Sequence, residues 1–278
     1  MLSITSTSPS GTTNGTITDY PFYNAEMWVP TFTDQTYGGN ATALVSITDV
    51  TPENNKPFNP ASRDSVDFKL IGQNPAQADA LSVLCRDNAP FESAGLGFTT
   101  NFLAAAAYQE SRFAEFTDIQ GCNPTLTTST ITDGYPVQAC DNGYGIMQLT
   151  QGIPGGLNYH LNRYTGTPTQ DMIWNWVANI NAGENVMLEK LDAEMTYEKR
   201  FTQDTGFYYP TPEQTEMNVW QRYNCGIYWV WGKSTVTNQY QWMLNANLTT
   251  KCSGQKPGTN AYADKVKNWA DKNPQWCQ

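Results

Sequence analysis

The chain has 278 residues and a mass of 31.0 kDa, enough for one large domain or for a domain with an extension. Hydrophobic residues make up 39% and charged residues 15%, a composition that excludes collagenous, coiled-coil and wholly disordered proteins. Acidic residues outnumber basic ones by 26 to 16, so we expect a surface that repels nucleic acids and anionic lipids.

Residues 1–72 are predicted to form an extension of short strands and loops. Apolar pieces at 27–29 and 43–47 are separated by turn signals such as 37–40. The first fifteen or so residues are rich in Ser and Thr and predict a flexible arm. The apolar pieces are too small for a core of their own, so we expect the extension to pack on the domain that follows.

Residues 73–278 are predicted to form a mainly helical domain. The segment 74–77 has the pattern of a capping box opened by Asn74, which predicts a helix from there to about Cys85. An alanine run with flanking apolar residues at helical spacing predicts a second helix over 98–113.

The second half of the domain repeats this helical texture after a long irregular segment. Residues 117–140 lack periodicity and are rich in Thr, Gly and Pro, which predicts a loop. Apolar residues at helical spacing predict a helix over 173–191, and a capping box at 211–214 predicts another that ends near Cys225. A short helix is expected over 261–270. The expected fold class is therefore mainly α, or α+β.

The six cysteines are an even set without a CxxC pair, and the chain has one histidine, His160. This combination disfavours zinc and predicts disulfides, hence an oxidising compartment, extracellular or periplasmic. No run of 18 apolar residues and no signal-peptide pattern is present in this numbering, so we expect no membrane span. Two pairs flank loop-like stretches and the third follows by elimination: Cys122 with Cys140, Cys252 with Cys277, and Cys85 with Cys225.

Glu110 is the candidate catalytic residue. It lies seven residues after Leu103, four after Ala106 and three before Phe113, so a helix that buries these residues places its carboxyl in an apolar stripe. Desolvation raises the pKa of a carboxyl, and an acid that keeps its proton near neutral pH can protonate a leaving oxygen. The alternative is a side chain that turns to solvent at the helix end.

Five segments in order resemble those of goose-type lysozymes and soluble lytic transglycosylases, enzymes that cleave the glycan strands of peptidoglycan. Residues 110–113 are similar to the catalytic Glu-Ser-x-Phe segment, and 142–149 to the glycine-rich turn that ends in Met-Gln. Residues 178–183 resemble a helix that begins Asn-Ile, 223–226 the Tyr-Asn-x-Gly motif, and 262–266 a closing helix whose Tyr faces the acid. Each segment alone is weak. Their shared order makes the resemblance strong and implies a lysozyme-like fold.

The resemblance implies a site in which Glu110 is the acid and no metal or organic cofactor takes part. Glycine backbone can approach a sugar closely, and amide side chains can donate to and accept from an acetamido group at once. Structural turns and core tyrosines are the alternative roles for the same residues. The implied substrate-binding residues are Ser111, Gly143, Tyr144, Gly145, Ile146, Met147, Gln148, Tyr223, Asn224 and Tyr262.

Hydrolysis with inversion requires a second carboxyl to activate water, whereas a lytic transglycosylase requires none. Asp141 is the candidate base, with Asp133 and Asp118 as looser candidates, although Asp141 before Asn-Gly can also be a turn former. The expected activity is a muramidase acting on the β-1,4 bond between N-acetylmuramic acid and N-acetylglucosamine. The alternatives are transglycosylation, cleavage of chitin-like polymers, and glycan binding without turnover. The expected partner is the glycan strand; no protein partner is predicted.

Overall fold

The computed structural model describes the backbone over most of the chain. Among these residues the fold is mainly α, with eight α-helices and four small two-stranded antiparallel sheets. No helix in the described part is long and apolar enough to cross a membrane. The described residues are 2–8, 11–17, 39–45, 64–70, 72–93, 95–122, 133–150, 168–205 and 209–278.

Four strands precede the helical domain. β1 (Leu2–Ser8) pairs with β2 (Gly11–Ile17), and β3 (Gly39–Val45) pairs with β4 (Asp64–Leu70). The predicted strand at 43–47 is therefore present as far as residue 45, in β3, and the expected Ser/Thr arm contains the β1–β2 hairpin. The apolar piece at 27–29 lies outside the described residues, and packing of the extension on the domain stays a prediction.

The domain from residue 73 contains the helices and four more strands. The strands form two hairpin-like pairs, β5 (Phe116–Thr117) with β6 (Tyr135–Pro136) and β7 (Trp229–Lys233) with β8 (Tyr240–Leu244). A 3-10 helix, Pro274–Cys277, follows the last α-helix. The α-helices are α1 (Gln77–Asp87), α2 (Ala89–Ser93), α3 (Phe102–Ser111), α4 (Gln170–Trp174), α5 (Trp176–Thr205), α6 (Pro212–Asn224), α7 (Leu248–Lys251) and α8 (Tyr262–Lys272).

One of the two predicted capping boxes is confirmed and the other is wrong. At the start of α6, the Thr211 side chain accepts from the Gln214 N–H and the Gln214 side chain accepts from the Thr211 N–H. At the start of α1, Ala76 occupies the N-cap position without a side-chain bond. Asn74 instead accepts from the backbone N–H groups of Glu115 and Phe116, at 2.8 and 2.9 Å. The Asn74 side chain therefore makes a tertiary contact and does not form the cap on α1 that the local pattern predicts.

Helix α3 is the centre of the core. Its residues Phe102 to Ala107 are all buried, so the helix is enclosed on nearly every side rather than along one stripe. The Phe102 ring stacks on Trp220 of α6 at 5.1 Å, and the Trp220 indole N–H donates to the Phe102 carbonyl. Because alanine side chains are short, the neighbouring α8 and α1 can approach closely. Each large buried side chain contributes about 1.5–3 kcal/mol. The part of α3 that leads to its last turn is thereby enclosed in the core.

All six cysteines form disulfides, as predicted, and the Cys122–Cys140 pair is confirmed. The other two predicted pairings, Cys252 with Cys277 and Cys85 with Cys225, are wrong. The last 3-10 helix packs on α1, which brings the two most distant cysteines together, and α7 lies beside the end of α6. Three disulfides fit an oxidising compartment. The observed pairs are Cys85–Cys277, Cys122–Cys140 and Cys225–Cys252.

Candidate functional site

The candidate site forms where α3 ends. Glu110 is in the last turn of the helix, and the two residues after Ser111, Arg112 and Phe113, both adopt left-handed backbone conformations with φ of 61° and 64°. These conformations stop the helix abruptly and turn the chain away. The half-buried Glu110 side chain is left lining a cavity of about 180 Å³.

Burial raises the pKa of the Glu110 carboxyl from its ordinary 4.5 to about 7. This pKa already includes two smaller effects: the Tyr262 hydroxyl lowers it and the nearby Asp141 charge raises it. Near neutral pH a substantial fraction of Glu110 is therefore protonated. A protonated carboxylic acid in a cleft can act as a general acid, the property that the helical position of Glu110 predicted.

Two tyrosines flank the acid. Burial and the neighbouring Glu110 raise the pKa values of Tyr223 and Tyr262 well above the ordinary value, so both hydroxyls remain protonated. Tyr223 also lines the cavity and donates to the Met147 carbonyl at 2.6 Å. The Tyr262 hydroxyl is buried beside Glu110 without a well-formed hydrogen bond among the described residues. It is a protonated donor next to the acid.

The glycine-rich turn over residues 143–149 reaches the cavity at its end, where Gln148 and Leu149 line it, whereas Gly143 and Gly145 do not. Two buried side chains from outside the turn fix its backbone. Glu115 accepts from the Ile146 N–H at 2.9 Å, and Asn179 of α5 accepts from the Met147 N–H at 2.8 Å. Asn179 also donates to the Tyr144 carbonyl at 2.9 Å. The turn is therefore supported from beneath by side chains that do not reach the cavity surface.

Gly145 shows why this turn needs glycine. Its φ is +70°, and an added Cβ would overlap the Asn179 amide and the Glu115 carboxyl. The conformation and the close approach both exclude a side chain. Gly143 is less constrained, because an added Cβ would lie 3.0 Å from the Gln148 carbonyl oxygen. The glycines thus shape the turn by packing against its supports.

Glu115 was not foreseen from the sequence. It is fully buried, and burial raises the pKa of its carboxyl well above the ordinary value while the Ile146 N–H opposes this. Its Oε1 atom has no hydrogen-bond partner among the described groups. We infer that the Glu115 carboxyl is neutral and accepts one backbone hydrogen bond, because burying it as a charge would cost more free energy. The only sequence signal was an acidic residue five positions after Glu110.

Asp141 shares the cavity with Glu110, and its own Oδ1 accepts from the Gly143 N–H at 3.2 Å. Asp141 is exposed, and its contact with Gly143 is that of a turn former, the alternative role given above. It still lies at the cavity, and its second oxygen accepts no hydrogen bond from the described residues. Asp133, a looser candidate, accepts from the Asn74 N–H away from the cavity.

The remaining predicted residues divide between the cavity wall and its support. Gln148 and Asn224 line the cavity, together with Val186 and Lys190 of α5. The Asn224 side chain accepts from Gln255 at 2.8 Å, and the Gln148 amide donates to the Gly145 carbonyl at 2.8 Å. Both side chains keep polar atoms for a ligand.

Three predicted substrate-binding residues are in the core instead. Ile146 and Met147 have no exposed surface, and Ser111 is 1% exposed and donates to the Ile146 carbonyl at 2.9 Å. Tyr144 accepts from Gln138 and does not line the cavity. Sequence order alone cannot separate wall from support, because adjacent residues of this turn go to different places: Met147 is in the core and Gln148 lines the cavity. These four residues position the turn.

Comparisons with protein-family models, with curated proteins and with solved structures return no significant match. The chemistry of the site therefore has to be argued from its own geometry. It contains an acid that holds its proton near pH 7, a second carboxyl in the same cavity, two protonated tyrosines and a rigid glycine turn. Such a set can protonate a leaving oxygen in a polar cleft.

Proposed function

We propose that the chain is a glycosidase that cleaves the β-1,4 bond between N-acetylmuramic acid and N-acetylglucosamine in peptidoglycan. The observation that carries the proposal is Glu110, a desolvated carboxyl with a pKa of about 7 at the wall of a polar cavity. The resemblance of five ordered segments to goose-type lysozymes and soluble lytic transglycosylases supports the substrate class. The three disulfides support an extracellular or periplasmic setting.

In the proposed reaction the Glu110 proton passes to the glycosidic oxygen as the bond from that oxygen to the anomeric carbon breaks. Charge develops on the sugar ring, and Glu110 becomes a carboxylate. The Tyr262 hydroxyl lies beside the Glu110 carboxyl, and by donating to it this hydroxyl stabilises the charge that Glu110 gains. Gln148 and Asn224 are placed to hold acetamido groups along the wall.

Water is the proposed nucleophile, activated by Asp141, which lines the same cavity as Glu110. The water attacks the anomeric carbon while its proton passes to Asp141. Transglycosylation is the second candidate, and one observation favours it: an Asp141 oxygen is engaged by the Gly143 N–H, the contact of a turn former. In that reaction the muramyl 6-hydroxyl attacks the anomeric carbon and Glu110 takes up its proton.

The test combines two variants with analysis of the products. Glu110→Gln is expected to abolish clearing of peptidoglycan in a gel, while Glu213→Gln, on an exposed side chain, should clear as the native protein does. Mass spectrometry of released muropeptides then separates the two nucleophiles. Reducing-end products lost in Asp141→Asn support hydrolysis, whereas products lighter by one water that persist in Asp141→Asn support transglycosylation. Full clearing by Glu110→Gln refutes the proposal.

A further inference from the structure

A second cavity, of about 670 Å³, adjoins the candidate site. Lys190 of α5 lines both cavities, and Arg222, which lines the second, directly precedes the Tyr223 of the first. Along α5 the lining passes from Val186 in the first cavity to Tyr197 in the second. That interval corresponds to about 16 Å of helix, so one elongated ligand can occupy both cavities.

The second cavity is rich in cations although the chain is acidic. Its lining contains Lys190, Arg222 and Lys251. Lys190 pairs with the lining carboxyl of Glu189 at 3.4 Å, and Arg222 pairs with Glu194, so three cations face two carboxyls. Three of the chain's 16 Lys and Arg residues therefore meet at one place, while acidic residues total 26. A local excess of positive charge on an acidic protein attracts an anionic group to that place specifically.

Arg222 is held in a fixed orientation that leaves donors available. Its Nε donates at 2.6 Å to the fully buried carboxyl of Glu194, and its guanidinium lies 5.4 Å from the centre of the Tyr197 ring. Among the described residues no group accepts from its two terminal nitrogens. The ammonium of the exposed Lys251 likewise has no described ion-pair partner. A guanidinium anchored at Nε presents its outer N–H groups in a geometry that suits a carboxylate.

We propose that the second cavity binds a carboxylate substituent of the muramic acid residues in the strand that is cleaved at Glu110. The inference rests on the proposed function and narrows its substrate to carboxylate-bearing glycans. The carboxylate comes from the lactyl group itself or from the peptide attached to it, and both offer the same chemistry to Arg222 and Lys251. A chitin-like polymer carries no carboxylate and gains nothing from this cavity.

The test measures ligand binding by calorimetry in the Glu110→Gln background, where no turnover interferes. Three tetrasaccharides serve as ligands: a muramyl glycan with its peptides, the same glycan after amidase treatment has exposed the lactyl carboxylates, and an N-acetylglucosamine oligomer. Lys251→Gln is the test variant because its exposed side chain can be changed without disturbing the core. Lys265→Gln, on the exposed face of α8 and away from both cavities, is the matched control.

Lys251→Gln is expected to weaken binding of a muramyl ligand about fivefold, with less effect at high salt. Binding of the N-acetylglucosamine oligomer should change less than about twofold, and Lys265→Gln should change nothing. A loss confined to the amidase-treated ligand assigns the lactyl carboxylate, and a loss confined to the intact ligand assigns the peptide. A loss with both muramyl ligands shows that the cavity accepts either carboxylate. Three results would overturn the inference. Lys251→Gln could bind the muramyl ligands as tightly as the parent protein does, it could lose the same affinity for all three ligands, or the parent protein could fail to bind the muramyl ligands.

The same experiment separates this inference from the proposed enzyme activity. Peptidoglycan cleavage that depends on Glu110, without any effect of Lys251 on binding, rejects the second site and leaves the glycosidase. Binding that depends on Lys251 in a protein that cleaves nothing rejects the glycosidase and retains a carboxylate-binding site.

Discussion

Replacing Glu110 by glutamine is expected to stabilise the protein at neutral and alkaline pH while it removes the proposed activity. Glutamine has the shape of the protonated acid, but it cannot ionise. In the native protein, ionisation of the carboxyl inside the cavity costs free energy that the unfolded chain does not pay. The variant avoids that cost, so the residue proposed as the catalytic acid should weaken the fold at these pH values.

The magnitude follows from the pKa of Glu110, which burial raises from 4.5 to about 7. The folded chain binds the proton more tightly than the unfolded chain, so the contribution of Glu110 to stability is complete below pH 4.5 and is lost as pH rises to 7. Converting the whole pKa difference between the folded and unfolded chain into free energy of unfolding gives about 3 kcal/mol. Because the Glu110 side chain is only half-buried, solvent screening reduces our expectation to about 2 kcal/mol.

Thermal unfolding of the native protein and of Glu110→Gln from pH 4 to pH 9 tests this expectation. The melting temperatures should coincide near pH 4 and separate through pH 5–7, with the variant higher by about 4–8 °C at pH 8. Glu213→Gln is the control, because its side chain is 64% exposed and lines neither cavity. A Glu110→Gln curve that is parallel to the native one at every pH would falsify the desolvated state of Glu110.

Three further predictions concern the support of the site and the termini. Glu115→Gln should retain activity and Glu115→Ala should lose about 2 kcal/mol of stability and most activity, because only the alanine leaves the buried Ile146 N–H unpaired; equal behaviour of the two variants in chemical unfolding contradicts the neutral acceptor. Gly145→Ala should lower the melting temperature by several degrees, since the added Cβ overlaps two supporting side chains at φ +70°; an unchanged melting curve refutes the close packing. Replacing Cys85 and Cys277 together by serine should cost up to about 4 kcal/mol in denaturant unfolding, because this bond closes the longest loop; a loss smaller than that from opening the Cys122–Cys140 bond argues against it.

Helix positions were predictable from the sequence where the determinants are local. The Thr211 capping box and Pro212 fix the start of α6 within four residues, and the structure has the same bonds. Asn74 presents an equally good local pattern, yet its amide binds the backbone of residues 115 and 116 and α1 starts three residues later. A cap residue can satisfy other backbone groups that only the folded chain brings near, so the pattern could not decide between them.

The disulfides and the site illustrate the same limit at longer range. The Cys122–Cys140 pair follows from an 18-residue separation, but the Cys85–Cys277 pair spans 192 residues and depends on the last helix packing against α1. Glu110 could be predicted from the sequence because helical spacing places it among apolar residues. Glu115 carries no periodic signal, since it lies beyond the helix end and acquires its role only when the turn closes over it.

Helix α5 contains two further buried acids, Glu194 and Glu198, whose pKa values are raised by burial as that of Glu110 is. Glu198 lies one turn after Glu194, and burial is the main cause that raises its pKa to about 7. Its carboxyl is hydrogen-bonded to Glu194, which also accepts from Arg222. The Thr215 hydroxyl of α6 donates to Glu198 at 2.7 Å, so this acid pair joins α5 to α6. By the same sign argument, the contribution of Glu198 to stability is complete below pH 4.5 and is lost as pH rises through 7. The fold that places Lys190, Arg222 and Tyr223 around the two cavities therefore gains most from Glu198 in mild acid, the range in which Glu110 also carries its proton.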